Sequence, residues 1–116
     1  MKRYFTVEEA ERLLPFFAGV MSRVIAWRKE IESIIGDVPV RSLGDLKEED
    51  RMPVIELIRR VRREMGFVND TGAMIKGLEQ GLVDFWSIRD GEEVLLCWRL
   101  GEERIEWWHP PESGFG

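Results

Sequence analysis

Residues 81–109 read GLVDFWSIRDGEEVLLCWRLGEERIEWWH, and this stretch decides the fold of the C-terminal part of the chain. Asp90-Gly91 is a strong hairpin signal, and Gly101-Glu102 is a weaker one. The two signals separate three runs rich in β-branched and aromatic residues, which are typical of strands. We therefore predict a three-stranded antiparallel β-meander with strands over about residues 82–88, 93–99 and 104–109.

A two-residue loop at each turn fixes which side chains share a face of this meander. One face then carries a row of Asp84, Cys97 and Glu106, followed by a row of Trp86, Leu95 and Trp108. The opposite face is apolar and continuous, and we expect it to pack on the helices. Its members are Val83, Phe85, Ser87, Val94, Leu96, Trp98, Ile105, Trp107 and His109.

The N-terminal segment predicts a long first helix. Residues 6–9, Thr-Val-Glu-Glu, form a capping box, in which the Thr hydroxyl and the Glu carboxylate each accept a hydrogen bond from the other's backbone N–H. Apolar residues then recur at helical spacing over about residues 7–35. Pro15 lacks a backbone donor and should bend this helix. Gly36 and Pro39 are expected to end it.

A second helix is predicted over about residues 48–68. Acidic residues at its start and arginines near its end suit the two ends of the helix dipole. A short extended piece is expected at residues 73–76. We therefore predict one domain, residues 1–116, of the α+β class, in which a long antiparallel helical hairpin packs on the C-terminal meander.

Composition narrows the class of protein and its partners. The formal net charge of −5 argues against general nucleic-acid binding, although four arginines between Arg59 and Arg63 leave that function as a weaker alternative. The sequence has no apolar run long enough to span a membrane and no signal peptide. With its single cysteine, the chain cannot form an internal disulfide. We expect a cytoplasmic protein without a membrane partner.

The residues able to carry chemistry are concentrated in the predicted meander. Asp84, Cys97 and Glu106, with Glu102 and the lone His109, form a candidate ligand or divalent-metal site. Neighbouring carboxylates would raise the pKa of a thiol, which argues against a reactive thiolate. The metal-ligand spacings of known zinc motifs are absent. We therefore expect no cofactor and no enzymatic activity. The alternative is a small ligand- or metal-binding protein or enzyme with a site around Cys97, Glu102 and His109.

Self-association is the function that the sequence favours. Trp86 and Trp108 share a predicted face with Leu95, and large apolar groups on a sheet's outer face usually mark an interface. An antiparallel helical pair also commonly completes a four-helix bundle by dimerising. We expect a homodimer, or a module that binds another protein, through this candidate interface.

Four segments resemble a family of short prokaryotic proteins known as domain of unknown function 2203. They are FTVEEAERLLP, GLVDFWS, LLCWRLGEERIEWWH and the terminal SGFG. The resemblance implies a cytoplasmic, single-domain prokaryotic protein and implies no activity. Trp86 stands where the family pattern has proline, and the family continues past Gly116 through a basic residue. The positions that match the motifs are Gly81, Asp84, Phe85, Cys97, Trp98, Gly101, Glu102, Trp108 and His109.

Overall fold

A computed structural model describes residues 2–36 and 41–113 of the chain. It confirms the α+β class and the antiparallel helical hairpin. The sheet is antiparallel and its strand order is β1-β2-β3-β4. The elements are α1 (Val7–Arg12), α2 (Leu14–Ile35), α3 (Glu48–Thr71), β1 (Met74–Gly77), β2 (Leu82–Arg89), β3 (Glu92–Arg99) and β4 (Trp107–His109), with short 3₁₀ turns at Leu43–Asp45 and Pro111–Ser113.

Pro15 divides the predicted first helix into α1 and α2. The capping box at Thr6 and Glu9 is present, with both of its reciprocal hydrogen bonds formed. Because proline has no N–H to donate, the helical ladder is interrupted and the chain turns at Leu13 before α2 begins. Gly36 caps the C-terminus of α2, and its φ of 64° is incompatible with a right-handed helix. The second predicted terminator, Pro39, lies outside the described residues.

The meander has one more strand than predicted. Gly72 adopts φ 92° and ends α3, and the chain returns at once alongside β2. Met74 lies opposite Asp84, so the expected extended piece forms the edge strand β1. The prediction of three strands is therefore corrected to four. The signal was weak because only four residues, Met74–Gly77, form the strand.

The predicted register between β2 and β3 is confirmed, with Asp84 opposite Cys97 and Trp86 opposite Leu95. The apolar face of this hairpin packs on α1 and α2. Phe85 lies at the centre, with edge-to-face contacts to Phe5 and Phe17 at 5.2 Å between ring centroids. The buried residues of this core are Phe5, Ala10, Leu14, Phe17, Val20, Met21, Val24, Val68, Ala73, Val83, Phe85, Leu96 and Trp98.

The predicted register of the last strand is wrong by one residue. Cys97 lies opposite Trp107, and Leu95 lies opposite His109. The chain makes a long connection through residues 100–106 in place of a two-residue turn, and the backbone N–H of Ile105 donates to the carboxylate of Glu11 at 3.0 Å. This tether to α1 sets where β4 begins, and a one-residue slip reverses every face.

Because β4 is shifted by one residue, three side chains lie on the opposite face of the sheet from the one predicted. His109 lies on the outer face with Cys97 and not on the helix-facing side. Trp107 also moves to the outer face and is 62% exposed. Trp108 moves to the opposite face, where it is 45% exposed at the sheet edge. Ile105, in the connection, packs against the core as expected.

Gly81 provides a test of the packing between the β1–β2 turn and the β3–β4 connection. Its φ is 68°, and a Cβ there would lie 2.6 Å from Leu100 Cβ. We predict that Gly81→Ala lowers the free energy of unfolding by about 2–4 kcal/mol, because backbone strain and overpacking add together. Urea denaturation measures this loss.

Gly91→Ala is the matched control. Gly91 has φ 80° with nothing near its missing Cβ, so the loss there should be about 1–2 kcal/mol, from strain alone. Equal losses at the two glycines would contradict the close packing of Gly81 on Leu100.

Candidate metal centre

Three adjacent strands bring together an oxygen, a sulfur and a nitrogen ligand. Asp84 comes from β2, Cys97 from β3 and His109 from β4. One ligand atom of each lies within 4.8 Å of the corresponding atoms of the other two. Asp84 and Cys97 are directly opposite one another, and His109 lies one row further along the same face. The register of β4, which the sequence did not predict, places His109 on the same face as Asp84 and Cys97.

The carboxylate of Asp84 is deeply buried. Asp84 is 2% exposed, and its Oδ2 accepts no hydrogen bond from any of the described residues, 2–36 and 41–113. The neighbouring His109 Nε2 lies 3.7 Å from this oxygen, beyond hydrogen-bond distance. An ionised carboxylate in such a place is costly unless a cation compensates it. The environment of Asp84 therefore favours a positive charge beside Oδ2.

The ring of His109 is oriented by its own backbone. Nδ1 lies 2.8 Å from the carbonyl oxygen of Pro110. A carbonyl only accepts, so Nδ1 carries the proton, and a neutral ring then presents the lone pair of Nε2 on the side of Asp84. A histidine that ligates a metal through one ring nitrogen usually donates the N–H of its other ring nitrogen to a carboxylate, a backbone carbonyl or water, as Nδ1 does here.

The thiol of Cys97 is protonated at neutral pH in the absence of a metal. Burial raises its pKa from the ordinary 9.0 to about 12, and the Asp84 carboxylate adds to this effect. Glu102 raises the pKa further, while Lys76 opposes the shift. A thiol of this kind is a poor nucleophile, which is what the sequence predicts for a cysteine beside carboxylates. The same negative surroundings attract a divalent cation, which can displace the proton.

Two residues of the predicted site do not join the cluster. The Glu102 carboxylate accepts from the backbone N–H of Arg99 at 2.7 Å, and its carbonyl accepts from the Trp98 indole, so Glu102 holds the turn after β3. Glu106 is exposed and precedes β4, so the predicted row of Asp84, Cys97 and Glu106 is corrected. Trp107 occupies the place across from Cys97 that had been given to Glu106.

The predicted interface of Trp86, Leu95 and Trp108 is not one surface. Leu95 is buried, and Trp86 is partly buried beneath the ammonium of Lys2, whose Nζ lies 3.8 Å from the ring centroid. Trp108 lies on the other face, where Arg89 approaches its ring at 4.8 Å. The prediction that these three residues share one exposed face is therefore corrected.

The N-terminal residues cover part of the outer face, which the sequence pattern did not predict. Glu93 accepts from the Tyr4 hydroxyl at 2.5 Å and from Lys2 Nζ at 3.1 Å. The backbone N–H of Phe5 donates to the Trp86 carbonyl, and its own carbonyl accepts from the Ser87 hydroxyl. These contacts join residues more than eighty positions apart, and no local spacing signals them.

Comparison with known proteins identifies the family. The family model described as "Uncharacterized conserved protein (DUF2203)" matches residues 3–116, and the chain belongs to this family. No curated protein and no solved structure matches. Asp84, Cys97 and His109 all fall within the matched region. Among the described residues, no helix has the length and apolar character to cross a membrane.

The raised pKa of Cys97 predicts a pH dependence of stability. The unfolded thiol ionises near its ordinary pKa of 9.0, whereas the folded thiol holds its proton until about pH 12. The stabilisation is therefore complete below the unfolded pKa and is lost as pH rises through the folded one. With a chelator present, we expect the wild type to lose more stability than Cys97→Ala between about pH 8 and about pH 11.

Urea unfolding across this range measures the difference between the two chains. Tyrosine and lysine titrate in the same range, and the comparison with Cys97→Ala removes their contribution because both chains contain them. Parallel curves for the two chains would contradict the buried, carboxylate-flanked position of the thiol.

Proposed function

We propose that this protein binds a divalent transition-metal ion of the zinc class through Asp84, Cys97 and His109. One observation carries this proposal: the three ligand atoms lie within 4.8 Å of one another, and one of them belongs to the buried side chain of Asp84. A thiolate, an imidazole and a carboxylate together suit zinc better than magnesium or calcium, which prefer oxygen ligands alone.

The separations of the ligand atoms support an ion of this size. Metal–ligand distances of about 2.0–2.3 Å in a tetrahedral site imply about 3.3–3.6 Å between neighbouring ligand atoms. Asp84 Oδ2 and His109 Nε2 are already 3.7 Å apart. The largest separation in the cluster, up to 4.8 Å, requires an approach of about 1 Å. β4 is a three-residue edge strand, so His109 is placed to make that movement.

Charge also supports a zinc-class ion. A divalent ion bound by the Asp84 carboxylate and a Cys97 thiolate forms a neutral unit, which removes the cost of a buried carboxylate. Three protein ligands leave a fourth position for water, the arrangement that zinc uses where it does chemistry. A cysteine that ligates a metal must stay reduced, and we propose that the protein works in the reducing cytoplasm of a prokaryote.

Cobalt substitution tests the metal site directly. With the purification tag removed, the chain contains one cysteine and one histidine, so no other thiolate or imidazole competes. We predict that Co²⁺ produces thiolate-to-cobalt charge-transfer absorption in the wild type and none in Cys97→Ser. Loss of a group that only hydrogen-bonds to a metal ligand costs roughly 10–100-fold in metal affinity. Asp84 and His109 are ligands themselves, so Asp84→Asn and His109→Gln should each weaken binding by at least about tenfold.

Glu106→Gln is the matched control for Asp84→Asn. It removes a carboxylate that is close in sequence to β4 but lies outside the cluster, so cobalt binding should be unchanged. Zn²⁺ at a hundredfold excess over its Kd should also raise the free energy of unfolding by about 2.7 kcal/mol. Equal cobalt binding by the wild type and Asp84→Asn, or none by the wild type, would overturn the proposal.

Self-association is a second candidate function, and one observation favours it. Several apolar side chains of the helical hairpin remain partly or fully exposed, among them Trp27, Ile31, Ile34 and Met52. Exposed apolar groups grouped on one element are typical of an interface. Measurement of the mass in solution as a function of concentration tests this function, and a monomer at every concentration would exclude it.

A further inference from the structure

The helical hairpin extends well beyond the sheet. The molecule measures 56 × 27 × 26 Å, and its radius of gyration is 16.8 Å. A compact chain of this length has a radius of gyration of about 13 Å. The hairpin of α2 and α3 contributes to this length, and its end comprises residues 25–35 of α2 and residues 48–60 of α3. We call this end the distal half. The turn between β1 and β2 flanks one side of α2 there, where Leu78 lies near Ile25 and Arg28.

One apolar stripe of α2 runs from the covered part into the distal half. Its members follow one another at intervals of three or four residues, the spacing of a single helix face: Phe17, Val20, Val24, Trp27, Ile31 and Ile34. The first three residues are 0% exposed because they lie against the core. The last three are only partly buried, although their position on the helix is the same. The stripe therefore loses its cover just after Val24.

The α3 side of the distal half is already packed. Val54 is 2% exposed and Leu57 is 5% exposed, and both occupy the buried stripe of α3. Two helices alone cannot enclose both of their apolar stripes, and a third layer is required. Met52 adds an uncovered side chain at the same end, being 63% exposed.

The charges of the distal half indicate what covers it. Residues 25–35 and 48–60 carry five basic and six acidic side chains, so this end is nearly neutral while the chain has a formal net charge of −5. A nucleic acid would need an excess of basic side chains. A second copy carries the same near-balance of charge, so two distal halves approach one another without strong electrostatic repulsion.

We infer that the distal halves of two copies of this chain pack together into a four-helix arrangement with Trp27, Ile31 and Ile34 at its centre. This inference rests on the self-association proposed above and assigns it to one surface. Antiparallel helical pairs commonly complete their cores in this way. The outer face of the sheet, with its metal centre, then stays outside the interface at the far end of each protomer.

Sedimentation of the wild type over about 1–100 µM, a range that resolves a Kd near micromolar, is the first measurement. We expect a dimer. Ile31→Arg should raise its Kd by at least about 30-fold, the effect of losing a central interface residue. Ser33→Arg is the matched control, because Ser33 is exposed on the opposite side of α2 and receives the same charge. Its dimer should be unchanged.

Cross-linking of the wild type keeps the test decisive should Ile31→Arg fail to fold. The chain has four lysines, of which Lys29 and Lys47 lie at or beside the distal half while Lys2 and Lys76 belong to the N-terminal segment and β1. In an equal mixture of isotopically light and heavy protein, a short amine cross-linker should join Lys29 and Lys47 between copies.

The outcomes separate the surface from the function. A wild type that stays monomeric overturns self-association and this inference together. A dimer that Ile31→Arg leaves intact, or whose cross-links between copies join Lys2 or Lys76, overturns the surface alone. If Trp108→Ser dissociates the dimer while the Ile31→Arg variant stays dimeric, the interface lies on the sheet.

Discussion

The pairing of Asp84 with Cys97 across β2 and β3 is the constraint on which the rest of the structure depends. Because side chains alternate along a strand, this one pair sends Val83, Phe85, Leu96 and Trp98 to the helices and leaves a carboxylate and a thiol on the outer face. The helices follow from it, since their apolar stripes bury themselves against that face. The candidate site and the hydrophobic core are therefore the two sides of the same hairpin.

The chemistry of the outer face comes from placing polar groups where water is excluded. Asp84 and Cys97 are 2% and 3% exposed, and burial raises the pKa of the Cys97 thiol. A carboxylate there stabilises a nearby cation and keeps the thiol protonated, and the backbone of Pro110 holds the His109 ring with Nε2 on the same side. Each group alone has an ordinary structural role. Together they supply the charge and the donor atoms that a zinc-class ion requires.

The sequence predicts those parts of the fold that local chemistry determines. The capping box at Thr6, the interruption at Pro15 and the Asp90-Gly91 hairpin each depend on residues within a few positions, and all three are present. The register of β4 depends on a contact between Ile105 and Glu11, which are 94 residues apart. No spacing within the meander carries that information, and the predicted partner of Cys97 was therefore Glu106 and not Trp107.

An anomalous difference map from crystals grown with zinc, recorded at the zinc absorption edge, tests the central claim most directly. We expect one peak bonded to an Asp84 carboxylate oxygen, Cys97 Sγ and His109 Nε2, with distances of about 2.0–2.3 Å. The ordinary electron-density map from the same crystals would show Trp107, and not Glu106, across from Cys97. A fully occupied, well-ordered sheet without a peak at this position, and with His109 bonded directly to Asp84, would contradict the account.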